Sequence, residues 1–310
     1  MPVDSHEKKL IVPRRLLPGD TVGIVAPASP FDRELFYQGI AELHAMSYRT
    51  SIPSELFMAN GYLAGSDLQR AQLVNRFFAD RSIQAIFCAK GGFGSIRILP
   101  LLDFAVIRKN PKIFVGFSDI TALLAVVYLR CNLVTYHGPM ITTLGRSDQK
   151  TKDALSAALT SDEPIEMKTS KGVTLQSGSV AGPVLAGNLT TLCHLVGTPY
   201  EPLFKGHILL LEDRGEAPYR LDRMMSQMKL AGCFEGLAGL ALGSFEGCGQ
   251  DKDIHMIVKD IFADHPLPIL AGLDFGHCPS NITIPIGLEA TLDADRHALV
   301  FQASATKQAV

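Results

Sequence analysis

Residues 112–127 read KIFVGFSDITALLAVV. Two apolar runs meet there across Gly116-Phe117-Ser118-Asp119. The first, 113–117, has the length of a buried strand, and the second, 119–130, has helical character. A strand running through a tight turn straight into a helix is the repeating unit of a parallel sheet covered by helices. The same junction raises a chemical question, because it places a serine and an acid at the carboxyl end of a strand and the start of a helix.

Outward from this junction the pattern repeats. DTVGIVAPASP (20–30) reads as a first buried strand that breaks at Pro27, and residues 32–46 read as a helix. In GSDLQRAQLVNRFFAD, Ser66 and Gln69 have capping-box spacing. Apolar residues at 68, 71, 74, 77 and 78 give that helix one inward face. AIFCA (85–89) is a further strand, ending in the glycine-rich turn AKGGFGS (89–95). Continuous apolar strands alternating with amphipathic helices predict an α/β fold with a parallel sheet.

The character changes past residue 150. A polar stretch is followed by ILLLED, LAGLALGSF, PILAGLDFG and ITIPIGLEATLDADRHALVF, all strand-like, with two clear helices at 219–231 and 252–263. This half reads as β-rich and mixed, with the division expected between domains 1–165 and 166–310.

The chain has 310 residues, 47% of them hydrophobic, and a formal net charge of -2. That balance argues against a nucleic-acid partner, which would need a basic surplus. No apolar run reaches the length of a membrane span, and the polar start shows no secretory signal. The cysteines at 88, 131, 193, 233, 248 and 278 form no C-x-x-C pair and read as buried thiols of a cytoplasmic protein.

Ser118 lies where open parallel sheets bind ligands, outside a strand's carboxyl end, beside the unpaired N–H groups of a helix start. It fits a nucleophile elbow without the second glycine of G-x-S-x-G, and it equally fits a helix cap. A serine nucleophile needs a base and the base an orienting acid. Among the histidines, His277 in LDFGHCPSNITIPIG follows a strand and a glycine, and His137 in TYHGPM is placed similarly. His194 reads as core, and His6, His44, His207, His255, His265 and His297 as surface or loop residues. For the acid, Glu212 closes an apolar run, with Asp213 and Glu216 as rivals. The AKGGFGS turn lets backbone N–H groups approach a ligand closely, an oxyanion or a phosphate.

Together GDTVGIVAPASP, AIFCAKGGFGSIRILPLLDF, VGFSDITALL, TYHGPM, AGNLTTLCHLVGTPY, LLLEDRGEAPYRLDRMM and GLDFGHCPSNITIPIG resemble one family, the LD-carboxypeptidases, serine peptidases of the S66 type, over nearly the whole chain. The resemblance implies Ser118 as nucleophile, His277 as general base and Glu212 as the acid orienting it. It implies an oxyanion hole from the backbone amides of Gly92 and Asp119, and a substrate grip involving Lys90, Gly91 and Arg220 or Arg223. It also implies a flavodoxin-like N-terminal domain, a barrel-like C-terminal domain, homodimers, and no metal or cofactor. The expected reaction releases a C-terminal D-alanine from muropeptide tetrapeptides in cell-wall recycling. Two rivals are a microcin-immunity peptidase of the same family and a non-catalytic anion binder. The chain departs from the family at Lys90, where arginine is usual, and at Ala186, where glycine is usual.

Overall fold

The computed structural model describes residues 9–308. His6 and the polar start before residue 9 lie outside them. The first sheet has the strand order β12-β5-β4-β3-β1-β2, with β12 formed by Ile284–Ile286. Its parallel members are β1 (Thr21–Val25), β2 (Arg49–Ser51), β3 (Ala85–Cys88), β4 (Ile113–Gly116) and β5 (Thr135–His137). All but β2 are almost wholly buried, and β1, β3 and β4 read as the apolar runs expected of strands covered on both faces.

The second sheet contains β6 (Glu166–Lys168), β7 (Val173–Gln176), β8 (Ser179–Asn188), β9 (Ile208–Arg214), β10 (Gly239–Glu246), β11 (Ile269–Ala271), β13 (Glu289–Asp293) and β14 (Ala298–Phe301). Their order is β6-β14-β13-β8-β9-β10-β11-β7. The central β8, β9, β10 and β11 run parallel, while the outer pairings are antiparallel. The molecule is therefore a two-domain α/β protein, with a mostly parallel sheet followed by a β-rich mixed one. We propose the division at 165/166, immediately before β6.

One strand crosses between the halves. β12 (Ile284–Ile286) comes from the C-terminal half yet pairs antiparallel with β5, opposing Ile284 to His137. A second junction lies at the start of the helix Thr121–Cys131. Thr121 Oγ1 accepts the Asn188 amide at 3.1 Å, and a Cβ on Gly187 would lie 2.1 Å from Thr121 Cγ2. Only glycine lets β8 come this close to the helix that follows Ser118.

The helix Asp67–Ala79 carries the expected capping box, with Ser66 Oγ accepting the Gln69 amide and Gln69 Oε1 accepting the Ser66 amide. Its inward face differs from the apolar pattern. Leu68 is exposed, whereas Arg70 is buried. Arg70 donates to the carbonyls of Pro27 and Gly94 and pairs with Asp67. A guanidinium with five donors is tolerated inside because it satisfies carbonyls of two loops at once, and here it ties the β1 loop to the glycine turn. Two histidines also differ from expectation. His194 ends the short helix Leu189–Cys193 and points to solvent. His207 directly precedes the buried β9 and is itself buried, with Tyr128 Oη 3.0 Å from its Nε2. All six cysteines are free; five are buried and Cys278 is half-buried. No described helix is long and apolar enough to cross a membrane.

Candidate active site

Ser118 stands two residues beyond β4, in the interior of the first sheet. Its φ is +61°, a left-handed conformation that costs a non-glycine residue about 1 kcal/mol or more. A short 3-10 turn, Ser118–Ile120, then leads into the helix Thr121–Cys131. Gly116 makes the return possible, since a Cβ there would lie 2.6 Å from Ile120 Cγ2. Ser118 provides no side-chain cap to the helix, so capping does not explain the residue.

The glycine turn lies against this elbow. A Cβ on Gly91 would be 3.0 Å from Ser118 Cβ, 3.2 Å from its Oγ and 3.3 Å from the Asp119 amide nitrogen. Gly92 (φ +102°) leaves no room for a Cβ beside Ser29 Oγ, which accepts the Phe93 amide at 3.1 Å. The two segments are tied by Asp119, whose buried carboxylate accepts the Ser95 amide at 2.9 Å. The amide N–H groups of Gly92 and Asp119 have no hydrogen-bond partner among the described residues. Unpaired donors of this kind are what an oxyanion hole requires.

His277 enters from the second domain, after β11. Its Nδ1 lies 2.6 Å from Glu212 Oε2, and its backbone amide donates to the same oxygen at 3.1 Å. Glu212 sits in β9, completely buried, and its Oε1 has no partner among the described residues. Such a carboxylate is costly unless it is hydrogen-bonded, and the His277 amide and ring Nδ1 are its partners. The pairing assigns the proton to Nδ1 and leaves the lone pair on Nε2. Gly276 (φ +91°) is required because a Cβ there would lie 2.5 Å from Glu212 Cγ. The loop is held by Asn281 Oδ1, which accepts the Gly276 amide at 2.8 Å, and by Ser244 Oγ, which donates to the His277 carbonyl at 3.0 Å.

The two halves meet through Phe117, whose ring centroid is 4.9 Å from that of His277. Ser118 Oγ makes no hydrogen bond among the described residues, to His277 or to any other group; apo sites often hold such pairs apart until substrate binds.

The rivals separate by geometry. Asp213 is a structural acceptor, bonded to Asn188 Nδ2, to the amide and hydroxyl of Thr190, and to the Arg214 amide. Glu216 pairs with Arg220 at 3.3 Å. His137 is fully buried, its ring centroid 5.7 Å from Phe117 and 5.6 Å from Phe275, and both its nitrogens lack partners among the described residues. Burial first, then the charge of His277, pushes it down to about 3. A neutral ring with no acid to orient it does not fit the role of base.

This shift has a consequence for stability. The folded value lies below the ordinary 6.5, so between the two the unfolded chain binds the proton and the folded chain does not. The stability is present above pH 6.5 and is lost as pH falls toward 3, at about 1.4 kcal/mol per pH unit for this group. His137→Gln is expected to lose about 2 kcal/mol less than wild type between pH 7 and pH 5. Urea unfolding at both values measures this; equal losses in the two proteins would contradict it.

Of the residues expected to grip substrate, Gly91 packs on Ser118 and the charged ones are engaged elsewhere. Lys90 is exposed, its Nζ 3.3 Å from the Pro30 carbonyl. Arg220 is exposed and engaged by Glu216 and by Tyr219 Oη. Arg223 rests on the Tyr219 ring. None of the three lines the two cavities that flank His277. One, of about 530 Å³, is bounded by Phe117, His277, Arg146, Arg214 and Glu246. The other, of about 380 Å³, is bounded by His277, Glu246, Asp251, Asp274, His255 and Lys171. The sequence reading missed Arg146 and Arg214. Arg214 carried a signal, two residues beyond Glu212 on one strand and so on the same side; Arg146, in a loop, carried none. No cluster of three or more His, Cys, Asp or Glu among the described residues is placed to hold a metal ion.

Comparison with known proteins agrees with this architecture. The LD-carboxypeptidase N-terminal domain profile matches residues 22–138, and the LD-carboxypeptidase C-terminal domain profile matches residues 181–292. A probable murein peptide carboxypeptidase of Bacillus subtilis is 34% identical over 307 residues, covering 96% of each chain. The crystal structure of an MccF-like protein from Bacillus anthracis superposes with a TM-score of 0.89 at 26% identity, covering 94% of this chain and 99% of that one. The muramoyltetrapeptide carboxypeptidase of Oxalobacter formigenes superposes with a TM-score of 0.80 at 25% identity, covering 94% of this chain and all of that one. Two domain profiles in order, a relative matched end to end and a shared two-sheet fold establish that this chain belongs to the S66 family of LD-carboxypeptidases.

Proposed function

We propose that the protein is a serine carboxypeptidase that hydrolyses the L,D amide bond of muropeptide tetrapeptides and releases their C-terminal D-alanine. The observation that carries this reading is the buried Glu212 carboxylate 2.6 Å from His277 Nδ1, with the His277 ring packed against Phe117, the residue preceding a strained Ser118.

In this mechanism substrate binding brings Ser118 Oγ and His277 Nε2 together. His277 takes the serine proton, and the alkoxide attacks the amide carbonyl. The negative charge moves onto the carbonyl oxygen, where the Gly92 and Asp119 amides receive it. Glu212 stabilises the imidazolium and keeps its ring oriented. His277 then protonates the leaving nitrogen, and D-alanine departs. Water, activated by the same histidine, hydrolyses the acyl-serine. The same reading takes the protein as a cytoplasmic homodimer, for which sedimentation equilibrium is the test.

The two kinds of relative pull in different directions. The murein peptide carboxypeptidase of Bacillus subtilis is more identical in sequence than the MccF-like protein, while the MccF-like protein superposes more closely than the Oxalobacter formigenes carboxypeptidase. We weight the chemistry of this chain. It contains no tryptophan, and the cavity beside Phe117 and His277 carries two arginines rather than an aromatic platform for a nucleobase.

Two peptides that differ only in a final D- or L-alanine test the reading, together with a peptidyl-adenylate mimic. Cleavage of the D-terminated tetrapeptide alone is expected. Cleavage of the adenylate mimic with both tetrapeptides left intact would transfer the assignment to the microcin-immunity branch.

A further inference from the structure

The 530 Å³ cavity takes walls from both domains. Phe117 and Arg146 come from the first, and His277 and Arg214 from the second. The mechanism above uses neither arginine. Both are weakly committed. Arg214 Nε lies 3.1 Å from Glu246 Oε2, with the side chains 61% and 54% exposed. An ion pair this open contributes little, so an incoming carboxylate can displace Glu246. Arg146 Nε reaches Gln38 Oε1 only at 3.4 Å. Arg70, by contrast, is buried, with both terminal nitrogens engaged by Asp67, Pro27 and Gly94.

A carboxypeptidase must recognise the free carboxylate at the end of its substrate. Because His277 protonates the leaving nitrogen, the leaving residue sits beside His277. Two cavities meet that requirement, and their charges differ. One carries Glu246, Asp251 and Asp274 against Lys171 and His255, and repels an anion. The other carries Arg146 and Arg214 against Glu246 alone, and it also borders Phe117, on the nucleophile's side. Guanidinium groups stay charged at every working pH and present a planar fork that fits a carboxylate.

We propose that Arg146 and Arg214 together form the subsite for the C-terminal carboxylate of the leaving residue, one from each domain. This rests on the carboxypeptidase reading above, and it moves carboxylate recognition away from Lys90 and Arg220. A carboxylate held in this way also links the two domains across the site.

The test compares kcat/KM on a tetrapeptide ending in D-alanine with that on the same peptide ending in D-alaninamide. Wild type, Arg146→Gln and Arg214→Gln are measured, with circular dichroism to confirm folding and Arg214→Lys as a charge-retaining variant. Wild type is expected to lose about 10- to 100-fold on amidation, the worth of charge-assisted hydrogen bonds. In either glutamine variant that penalty is expected to shrink toward unity, with an intermediate value for Arg214→Lys. A folding defect or a merely structural role lowers both rates and leaves their ratio unchanged. An amidation penalty as large in both glutamine variants as in wild type overturns the subsite. A wild-type protein that cleaves neither peptide overturns the function reading, and the subsite with it.

Discussion

Ser118→Ala is expected to lower kcat by about 10⁴- to 10⁶-fold, the range for removing the nucleophile of a catalytic triad. The loss comes from the missing Oγ alone. Alanine keeps the Cβ, so the packing of Gly91 against residue 118 is unchanged. Residual turnover would reflect binding and the Gly92 and Asp119 amides. A companion variant separates chemistry from backbone strain. Ser118→Gly removes the nucleophile too, yet suits the +61° backbone angle better than serine or alanine. It is expected to be as inactive as Ser118→Ala and about 1 kcal/mol more stable than it in denaturant unfolding. Near-wild-type turnover in either folded variant contradicts the nucleophile assignment. Equal stability of the two contradicts the strained elbow.

Glu212 carries the second large effect. Glu212→Ala leaves His277 Nδ1 and the His277 amide without their shared acceptor. The ring loses both its orientation and its counter-charge, and a fall in kcat of about 10⁴-fold is expected. Glu212→Gln is a sharper probe. Both donors converge on one oxygen, Oε2, while Oε1 has no partner among the described residues. A glutamine can turn its carbonyl oxygen toward both donors and place its NH₂ at the empty position. Orientation and tautomer then survive, and only the negative charge is lost. The expected fall is about 10²-fold, well short of the alanine variant. Rates for the two variants that coincide would show that charge alone matters, and a Gln rate as high as wild type would remove Glu212 from the mechanism. Stability is a useful control here. Removing an incompletely paired buried carboxylate is not expected to unfold the domain.

Much of this arrangement was legible in the residues. The strand readings at 20–30, 85–89 and 113–117 contain β1, β3 and β4, because strands buried on both faces are written as plain apolar runs. The helix at 67–79 announced its start through Ser66 and Gln69, a local interaction that sequence spacing can carry. The readings 219–231 and 252–263 fall within one or two residues of the helices Pro218–Leu230 and Asp251–Ile261. The pairing of His277 with Glu212 could only be inferred by family resemblance, since 65 residues separate them. The passage of β12 into the first sheet was also hidden. Nothing in ITIPIG specifies whether its partner is β5 or a neighbour in the second sheet; that choice depends on the whole topology. Arg70 was hidden for another reason. Its burial depends on carbonyls of Pro27 and Gly94, which lie far from it in sequence.

The measurement that tests the account most directly is mass spectrometry of the purified protein incubated with L-Ala-γ-D-Glu-meso-diaminopimelate-D-Ala, with the Ser118→Ala variant treated in parallel. The account predicts loss of one D-alanine with wild type and an intact tetrapeptide with the variant. An intact tetrapeptide in both, or equal cleavage in both, would contradict it.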